Sequence, residues 1–335
     1  MPSTPDSIEV QVHAISIAAV DALAFELRDL HGGMLPAVEA GAHIAVRLPG
    51  NLTRHYSLMN APGERHRYRI AVRMQPDSRG GSRYMHERLR VGDRLAISAP
   101  RNNFRLAEAP PLSVLIAGGI GITPLYSMIA RLEQLGRDWK LHYAARSAAS
   151  APLLEELEQL ERQRPGRVHL HFDELHAGRP LDVRAVVAAA SGDDGTHFYC
   201  CGPTPMLAAF EQACAGLPSE HVHVEYFGPK TIPANQTSMG IACPPAGESF
   251  EVALRRSGVT LEVPPQRSIL EVLLDAGIDA PFSCGEGFCG SCRTAVIEGQ
   301  PDHRDTVLDA VERAQGDIMM ICCSRSRGPK LVLDL

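Results

Sequence analysis

Cys284, Cys289 and Cys292 stand in a Cys-x4-Cys-x2-Cys pattern, and a further pair, Cys322 and Cys323, follows near the C-terminus. Three thiolates so close on one loop can converge on a single small inorganic centre. This spacing, with one distant fourth cysteine, is the ligand pattern of a [2Fe-2S] cluster. Gly285, Gly287 and Gly290 punctuate the loop, where they permit positive φ and let backbone N–H groups turn toward sulfur. A zinc ribbon instead repeats a Cys-x2-Cys pair, and the second such pair is absent. Spacing leaves the fourth ligand open between Cys322 and Cys323. Read as a strand, the segment MMICCSRS sends the two thiols to opposite faces, so that one alone faces the loop.

The other cysteines agree with this reading. Nine is an odd number and five of the nine lie between Cys284 and Cys323, which suits a metal or cluster site better than a secreted disulfide framework. The first residues, MPSTPDSIEV, lack a basic stretch followed by an apolar core, so no secretory signal is read and the cytoplasm is the expected compartment. With 335 residues, 44% hydrophobic and 21% charged, the chain is globular and too long for one core, and three domains are expected.

Local patterning divides it into a domain at 1–109, a second at 110–228, a linker at 229–248 and a third at 249–335. From Ile8 to Pro100, short alternating runs such as HIAVRLP and YRIAVRM between turn residues read as an all-β domain, an antiparallel β-barrel or a sandwich. From Leu112, the buried runs SVLIAGG, WKLHYAARS, VHLHFDE and THFYCCGP alternate with helical stretches at Pro124–Leu135, Leu153–Arg164 and Pro205–Ala215. That alternation predicts a parallel sheet covered by helices. The third domain opens with a hairpin around Ser257-Gly258 and a helix at Ser268–Ala276, a β-grasp-like α+β arrangement. Ala109 to Ala130 carries no charge over 22 residues, long enough for a membrane span. Gly118-Gly119, Gly121 and Thr123-Pro124 break it into strand, turn and helix, and no membrane association is expected.

Residues 54–105 hold 12 arginines against 4 acids, in a chain of net charge −6. Such a stretch can grip a phosphate or an acidic partner surface, and no nucleic-acid partner is expected from it. Within it, Arg54-His55-Tyr56-Ser57 combines a bidentate phosphate donor, an aromatic ring and a hydroxyl, with Arg54 and Tyr56 on one face of a strand. It is similar to the Arg-x-Tyr-Ser pattern of ferredoxin-NADP reductase relatives, which implies a flavin against Tyr56 with Ser57 at its redox-active edge. Ala71-Val72-Arg73 reads as a strand edge. Arg79-Gly80-Gly81-Ser82 reads as a turn into a helix at Arg83–Leu89, presenting backbone N–H groups to an anion.

Gly118-Gly119-Ile120-Gly121-Ile122-Thr123-Pro124 follows a buried run and precedes a helix, yet lacks the third glycine of Gly-x-Gly-x-x-Gly. A second strand-turn-helix unit, Tyr199-Cys200-Cys201-Gly202-Pro203-Thr204-Pro205-Met206, supplies a partner, and two such turns at strand ends make a nucleotide crevice. Arg146-Ser147 falls where an adenosine ribose lies in such a crevice. An arginine there also suits a 2′-phosphate, so NADH and NADPH both stay open. His169/His171 and His221/His223 share strand faces with no third ligand type nearby and read as polar faces, not metal sites.

In order, the three domains resemble the bacterial oxygenase reductases typified by phthalate dioxygenase reductase and the vanillate demethylase reductase subunit. Ser324-Arg325 and Leu331-Val332-Leu333-Asp334-Leu335 carry the resemblance near the C-terminus, as does Pro301-Asp302-His303-Arg304-Asp305, which sequence explains only as a turn or docking surface. The resemblance implies Cys284, Cys289, Cys292 and Cys322 as cluster ligands, the last by counting back from Ser324, with Cys323 a packing residue. It implies FMN, with FAD as the alternative, held by Arg54, His55, Tyr56, Ser57, Ala71, Val72, Arg73, Gly80, Gly81 and Ser82, the last two at the phosphate. It implies NADH at Gly119, Gly121, Thr123, Pro124, Arg146, Ser147, Cys201, Gly202, Pro203 and Met206, with Phe227 over the flavin face that nicotinamide enters. Ser57, Thr123, Cys201 and Phe227 would surround the reacting rings. The implied activity is hydride transfer from NADH to the flavin and single-electron transfer through the cluster to a terminal oxygenase, Rieske-type, in aromatic catabolism. A haem monooxygenase or other carrier as acceptor is the alternative. A redox sensor fits poorly, because a sensor needs no hydride donor.

Overall fold

The computed structural model describes residues 7–50, 52–75, 78, 80–192, 195–227, 249–278, 280, 282, 287 and 290–335. The chain forms two compact units divided at 227/228.

The first unit begins with β1 (Ser7–Ala19), β2 (Ala22–Asp29), β3 (His43–Leu48), β4 (Leu52–Ser57), β5 (Tyr68–Arg73), a short helix α1 (Gly81–Glu87) and β6 (Arg94–Ser98). These strands pair antiparallel in the order β4-β3-β6-β1-β2-β5. Their period-2 alternation buries Val10, Val12, Phe25, Leu27, Ile44, Val46, Ile70 and Ile97 on the inside. The end strands β4 and β5 approach within 8 Å between Cα atoms and α1 lies against both, so the sheet curls into a barrel. Helix α1 starts two residues before the expected Arg83, because Gly80 at φ 90° turns the chain into it.

Next come β7 (Leu112–Gly118), α2 (Ile122–Leu135), β8 (Asp138–Ala145), α3 (Leu154–Gln163), β9 (Val168–Phe172), α4 (Val183–Ala190), β10 (His197–Cys201), α5 (Thr204–Ala213) and β11 (Val222–Glu225). All five strands are parallel, in the order β11-β10-β7-β8-β9. Growth of the sheet therefore reverses between β7 and β10, where ligands bind in such folds. Helix α4 has no counterpart among the expected helices; Asp182 starts it by accepting from the Ala185 N–H at 3.0 Å.

The two sheets share one core. Met59, Ala71 and Phe104 from the barrel segment join Ala117, Leu125, Met128, Tyr143 and Tyr199 in a single buried cluster. Gly41, at φ 89°, permits this seam: a Cβ there would strike the Phe104 carbonyl and stand 2.9 Å from Met128 Cε. Ser127 Oγ crosses the seam to donate to the Asn60 carbonyl at 2.6 Å. Architecture changes near residue 109, but the core is continuous.

The second unit contains β12 (Phe250–Leu254), β13 (Thr260–Val263), α6 (Ile269–Asp275), β14 (Arg293–Glu298), β15 (Pro301–Asp302), α7 (Ala310–Gln315), β16 (Ile318–Met320), β17 (Arg325–Ser326) and β18 (Lys330–Leu333). Its main sheet runs β13-β12-β18-β14-β16, with β12 parallel to β18 and the other pairs antiparallel. Helix α6 contributes Ile269, Leu270 and Leu273 to the core. A capping box begins it: Glu271 N–H donates to Ser268 Oγ at 3.2 Å, and Ser268 N–H to Glu271 Oε2 at 2.8 Å. Ser268→Ala is expected to lower stability by about 1 kcal/mol, read as a lower denaturant midpoint at unchanged slope. An unmoved midpoint would show that the cap contributes nothing.

Among the described residues no helix is long and apolar enough to cross a membrane. The uncharged stretch Ala109–Ala130 is instead β7, the glycine turn and the start of α2.

Candidate functional site

Two turns interlock at the C-terminal ends of β7 and β10. A Cβ on Gly121 would collide with the Cys201 carbonyl group, 2.5 Å from its carbon, and stand 2.9 Å from Gly202 N. One on Gly118 would lie 2.5 Å from Pro203 Cδ and 2.9 Å from Met206 Sδ. Only glycine permits such approach. Gly119, at φ 53°, faces open space, leaving backbone accessible to a pyrophosphate. Tyr143 Oη holds the turn by donating to the Gly119 carbonyl at 3.1 Å. Thr123 is buried and donates to the Ile120 carbonyl at 3.0 Å, and Pro124 is buried beside it; both shape the turn. Arg146 is exposed at the end of β8, and Ser147 N–H donates to Ser150 Oγ at 3.0 Å. The structure thus brings Gly119, Gly121, Thr123, Cys201, Gly202, Pro203 and Met206 to one crevice, with Arg146 and Ser147 one strand away. Gly118, which opens the expected turn but was not among the residues expected to hold NADH, belongs with them.

Cys201 is fully buried and pairs in register with Glu225 on β11. Burial pushes the Glu225 carboxyl up to about 8, and its Oε2 meets no hydrogen-bond partner. Burial, with Glu225 beside it, holds the Cys201 thiol well above the usual range, so it stays neutral. Glu225 is a site residue that sequence reasoning missed, since in HVHVEYF it looks like one more polar position on an alternating strand. The histidines of that pattern are not a solvated face: His223 stacks on Tyr199 at 4.4 Å, lies 3.0 Å (Nε2) from His197 Nδ1, and is pushed down to about 4 by burial.

An unfolded glutamate titrates near 4.5, so the contribution of Glu225 to stability is complete below that pH and is lost as pH rises through about 8. Glu225→Gln is expected to be more stable than wild type at pH 8 by about 2–4 kcal/mol, and nearly equal at pH 4.5. Chemical denaturation at both pH values measures this. A difference that ignores pH would refute a neutral buried carboxyl.

In the barrel, Arg54 and Tyr56 share a face of β4 opposite Val46 and Ile44 of β3. The first residue of α1 rests on the arginine: a Cβ on Gly81 would lie 2.6 Å from Arg54 Cγ and Nε. Guanidinium and helix N–H groups therefore border one cradle, the chemistry that holds a phosphate. Ser82 Oγ accepts from Gln75 N–H at 3.2 Å and donates to Ser78 Oγ at 3.0 Å. Tyr56 packs on the barrel core and burial raises its phenol, keeping it neutral. Ser57 is buried, and His55 meets His43 edge-on at 5.2 Å. Ala71 and Val72 are buried, with the Val72 carbonyl 2.7 Å from His86 Nε2. Arg73 bonds Asp21 at 2.6 Å, and Arg67 bonds Glu64 and Glu26, so part of the arginine-rich stretch is neutralised within the unit. Phe227 lies outside the core and is 43% exposed.

In the second unit, Cys284 and Cys289 lie outside the described residues. Cys292 and Cys322 are both buried, and Ile321 N–H reaches the Cys292 carbonyl at 3.4 Å. Two thiols among Leu308, Met319, Met320 and Ile321 suit soft iron–sulfur ligation. The expected strand through MMICCSRS is corrected: β16 ends at Met320, whose carbonyl accepts from Cys323 N–H (3.3 Å) and Ser324 N–H (3.0 Å). This turn, not alternation, buries Cys322 and leaves Cys323 partly exposed. The Cys323 sulfur packs over Gly287, 2.5 Å from where a Cβ would stand.

Comparison with known proteins agrees with this geometry. The 2Fe-2S iron-sulfur cluster binding domain matches residues 252–327, and the oxidoreductase NAD-binding domain matches residues 115–212. The chain is 48% identical to tetrachlorobenzoquinone reductase of Sphingobium chlorophenolicum, covering 100% of both. It is 49% identical to phenoxybenzoate dioxygenase subunit beta of Ectopseudomonas oleovorans, covering 99% of each. Phthalate dioxygenase reductase, a modular structure for electron transfer from pyridine nucleotides to [2Fe-2S], superposes with a TM-score of 0.70 at 37% identity over 98% of each chain. The chain belongs to the family of phthalate dioxygenase reductase and is an oxidoreductase with NAD-binding and [2Fe-2S] domains.

Proposed function

We propose that the chain is the NADH-dependent reductase component of a multicomponent oxygenase, taking electrons from NADH through FMN and a [2Fe-2S] centre to a terminal oxygenase of the Rieske type. The observation that carries it is the shared core of the first unit. Ala71, one of the proposed flavin residues, and Met59 pack in one cluster with Ala117 and Cys201, at the strand ends proposed for nicotinamide. Donor and acceptor rings bound at these two places would be neighbours.

When bound, the flavin would accept a hydride and release electrons singly, and the cluster would carry them one at a time. The chain's own residues bind and orient. Arg54, Gly80, Gly81 and Ser82 would hold the FMN phosphate, His55, Tyr56, Ser57, Ala71, Val72 and Arg73 would line the ring, and Phe227 would cover it. Gly118, Gly119, Gly121, Gly202, Pro203 and Met206 would seat NADH, with Arg146 and Ser147 toward its adenosine. Cys201 and the neutral Glu225 would border the nicotinamide without adding charge. Cys292 and Cys322, with Cys284 and Cys289, would ligate the cluster. The cytoplasm is the compartment we propose, supported by the free thiols of Cys200, Cys201 and Cys214.

The test is the visible spectrum of anaerobically purified protein before and after one equivalent of NADH, with the extracted flavin identified by chromatography. Bleaching of flavin and cluster bands with release of FMN is expected; a colourless protein that takes up only zinc would sink the reading. The 48% identity to tetrachlorobenzoquinone reductase favours a quinone as the second reading of the acceptor. Electron delivery to a purified Rieske oxygenase, compared with delivery to a quinone at equal concentration, separates the two.

A further inference from the structure

The Pro301–Asp305 stretch has no part in the site so far, yet Asp305 is a buried acid with several hydrogen-bond partners. Its side chain is 0% exposed. Oδ2 accepts from the N–H groups of Val307 (3.0 Å) and Leu308 (2.8 Å), and Oδ1 accepts from Ser324 Oγ at 3.4 Å. Arg313 Nη2 lies 3.7 Å from the carboxylate and donates to the Asp305 carbonyl at 2.5 Å, while its Nε donates to the Leu308 carbonyl at 2.9 Å. A buried carboxylate is costly unless hydrogen-bonded and paired in this way.

What the network joins is more informative than its strength. Thr306 N–H donates to the Gly287 carbonyl at 2.9 Å, and Asp305 Cα would stand 3.2 Å from a Cβ on Gly287. Gly287 lies in the cysteine loop between Cys284 and Cys289. On the other side, Ser324 adjoins the Cys322–Cys323 turn, and its Oγ also accepts from Arg304 N–H at 3.2 Å. One short segment thus grips both halves of the proposed ligand set.

We infer that Asp305 is a positioning residue for the [2Fe-2S] centre, a strut that fixes the cysteine loop against the turn bearing the fourth ligand. The inference rests on the cluster reading proposed above. Asp305 acts through Thr306–Gly287 and through Ser324. Groups that orient metal ligands in this indirect way commonly change metal affinity by about 10- to 100-fold when altered.

The experiment uses the full chain as wild type, Asp305→Asn and Ser324→Ala. It measures the rate at which an iron chelator bleaches the cluster, the electron paramagnetic resonance spectrum after chemical reduction, and the melting temperature. Asp305→Asn is expected to lose its cluster roughly tenfold faster and to show altered g-values, with Ser324→Ala changing both in the same direction by less. Chelation rates within twofold of wild type and unchanged spectra would overturn the inference even if the melting temperature fell, since a purely structural acid would behave so. If Asp305→Asn does not fold, Ser324→Ala decides by the same criteria. A wild-type chain with no [2Fe-2S] signal would sink the cluster reading itself, a result distinct from variants that match a wild type that has one.

Discussion

Cys322→Ser purifies with its iron reduced by more than about tenfold, whereas Cys323→Ser keeps its cluster. That is the expected result, and it follows from the turn after β16. The Met320 carbonyl collects two N–H groups, which rotates Cys322 into the core near Cys292 and leaves Cys323 partly exposed over Gly287. A hydroxyl is a poor ligand for iron that prefers thiolate, so the serine at 322 removes a ligand. At 323 it removes a packing contact. NADH should still bleach the flavin band of Cys322→Ser, while reduction of a one-electron protein acceptor falls with the iron. Iron and sulfide analysis with paramagnetic resonance decides; retention of the cluster in Cys322→Ser and its loss in Cys323→Ser would reverse the assignment.

Where a pattern depends on residues close together in the chain, it is legible in the sequence. The Cys284–Cys292 spacing specifies a small thiolate-bound centre because three ligands must come from one loop. Arg54-His55-Tyr56-Ser57 is legible because period-2 geometry alone sets Arg54 and Tyr56 on one face. The parallel sheet follows from buried runs alternating with helices. What sequence did not disclose depends on long-range contact. Glu225 becomes notable only when register sets it opposite Cys201 and its buried Oε2 is left without a hydrogen-bond partner. Gly118 matters through Pro203 and Met206, some 85 residues away in the chain. Cys322 was chosen over Cys323 by counting back from Ser324 in the resemblance; alternation could not supply the choice, because a local rule cannot see the hydrogen bonds that end β16 at Met320. Helix α4 was missed because its β-branched valines weaken the helical pattern, while the Asp182 cap that starts it is a local signal that could have been used. Asp305 would have been hardest to find, since Arg313 and Ser324 reach it only in the fold.

Gly121→Ala is expected to be the most damaging single methyl group that can be added to the nucleotide crevice. Its Cβ would enter the Cys201 carbonyl group and crowd Gly202 N, and neither is the movable end of a side chain. The two turns must separate, which costs about 1–3 kcal/mol of stability by overpacking. Function should suffer more than stability, because both walls of the crevice move at once. A displacement on the order of 1 Å in such a site lowers rate by about 100-fold, so kcat/KM for NADH should fall by about that factor while bound flavin is retained. Gly136→Ala is the matched control. Gly136 caps α2 at φ 65° with nothing within 4 Å of a Cβ, so alanine there meets backbone strain of about 1–2 kcal/mol and no clash. Its KM for NADH should be that of wild type. Flavin reduction followed across NADH concentrations, beside denaturant unfolding of both variants, separates the effects. If Gly121→Ala loses stability like the control but binds and oxidises NADH normally, the interlocked turns are a folding device and the nucleotide lies elsewhere.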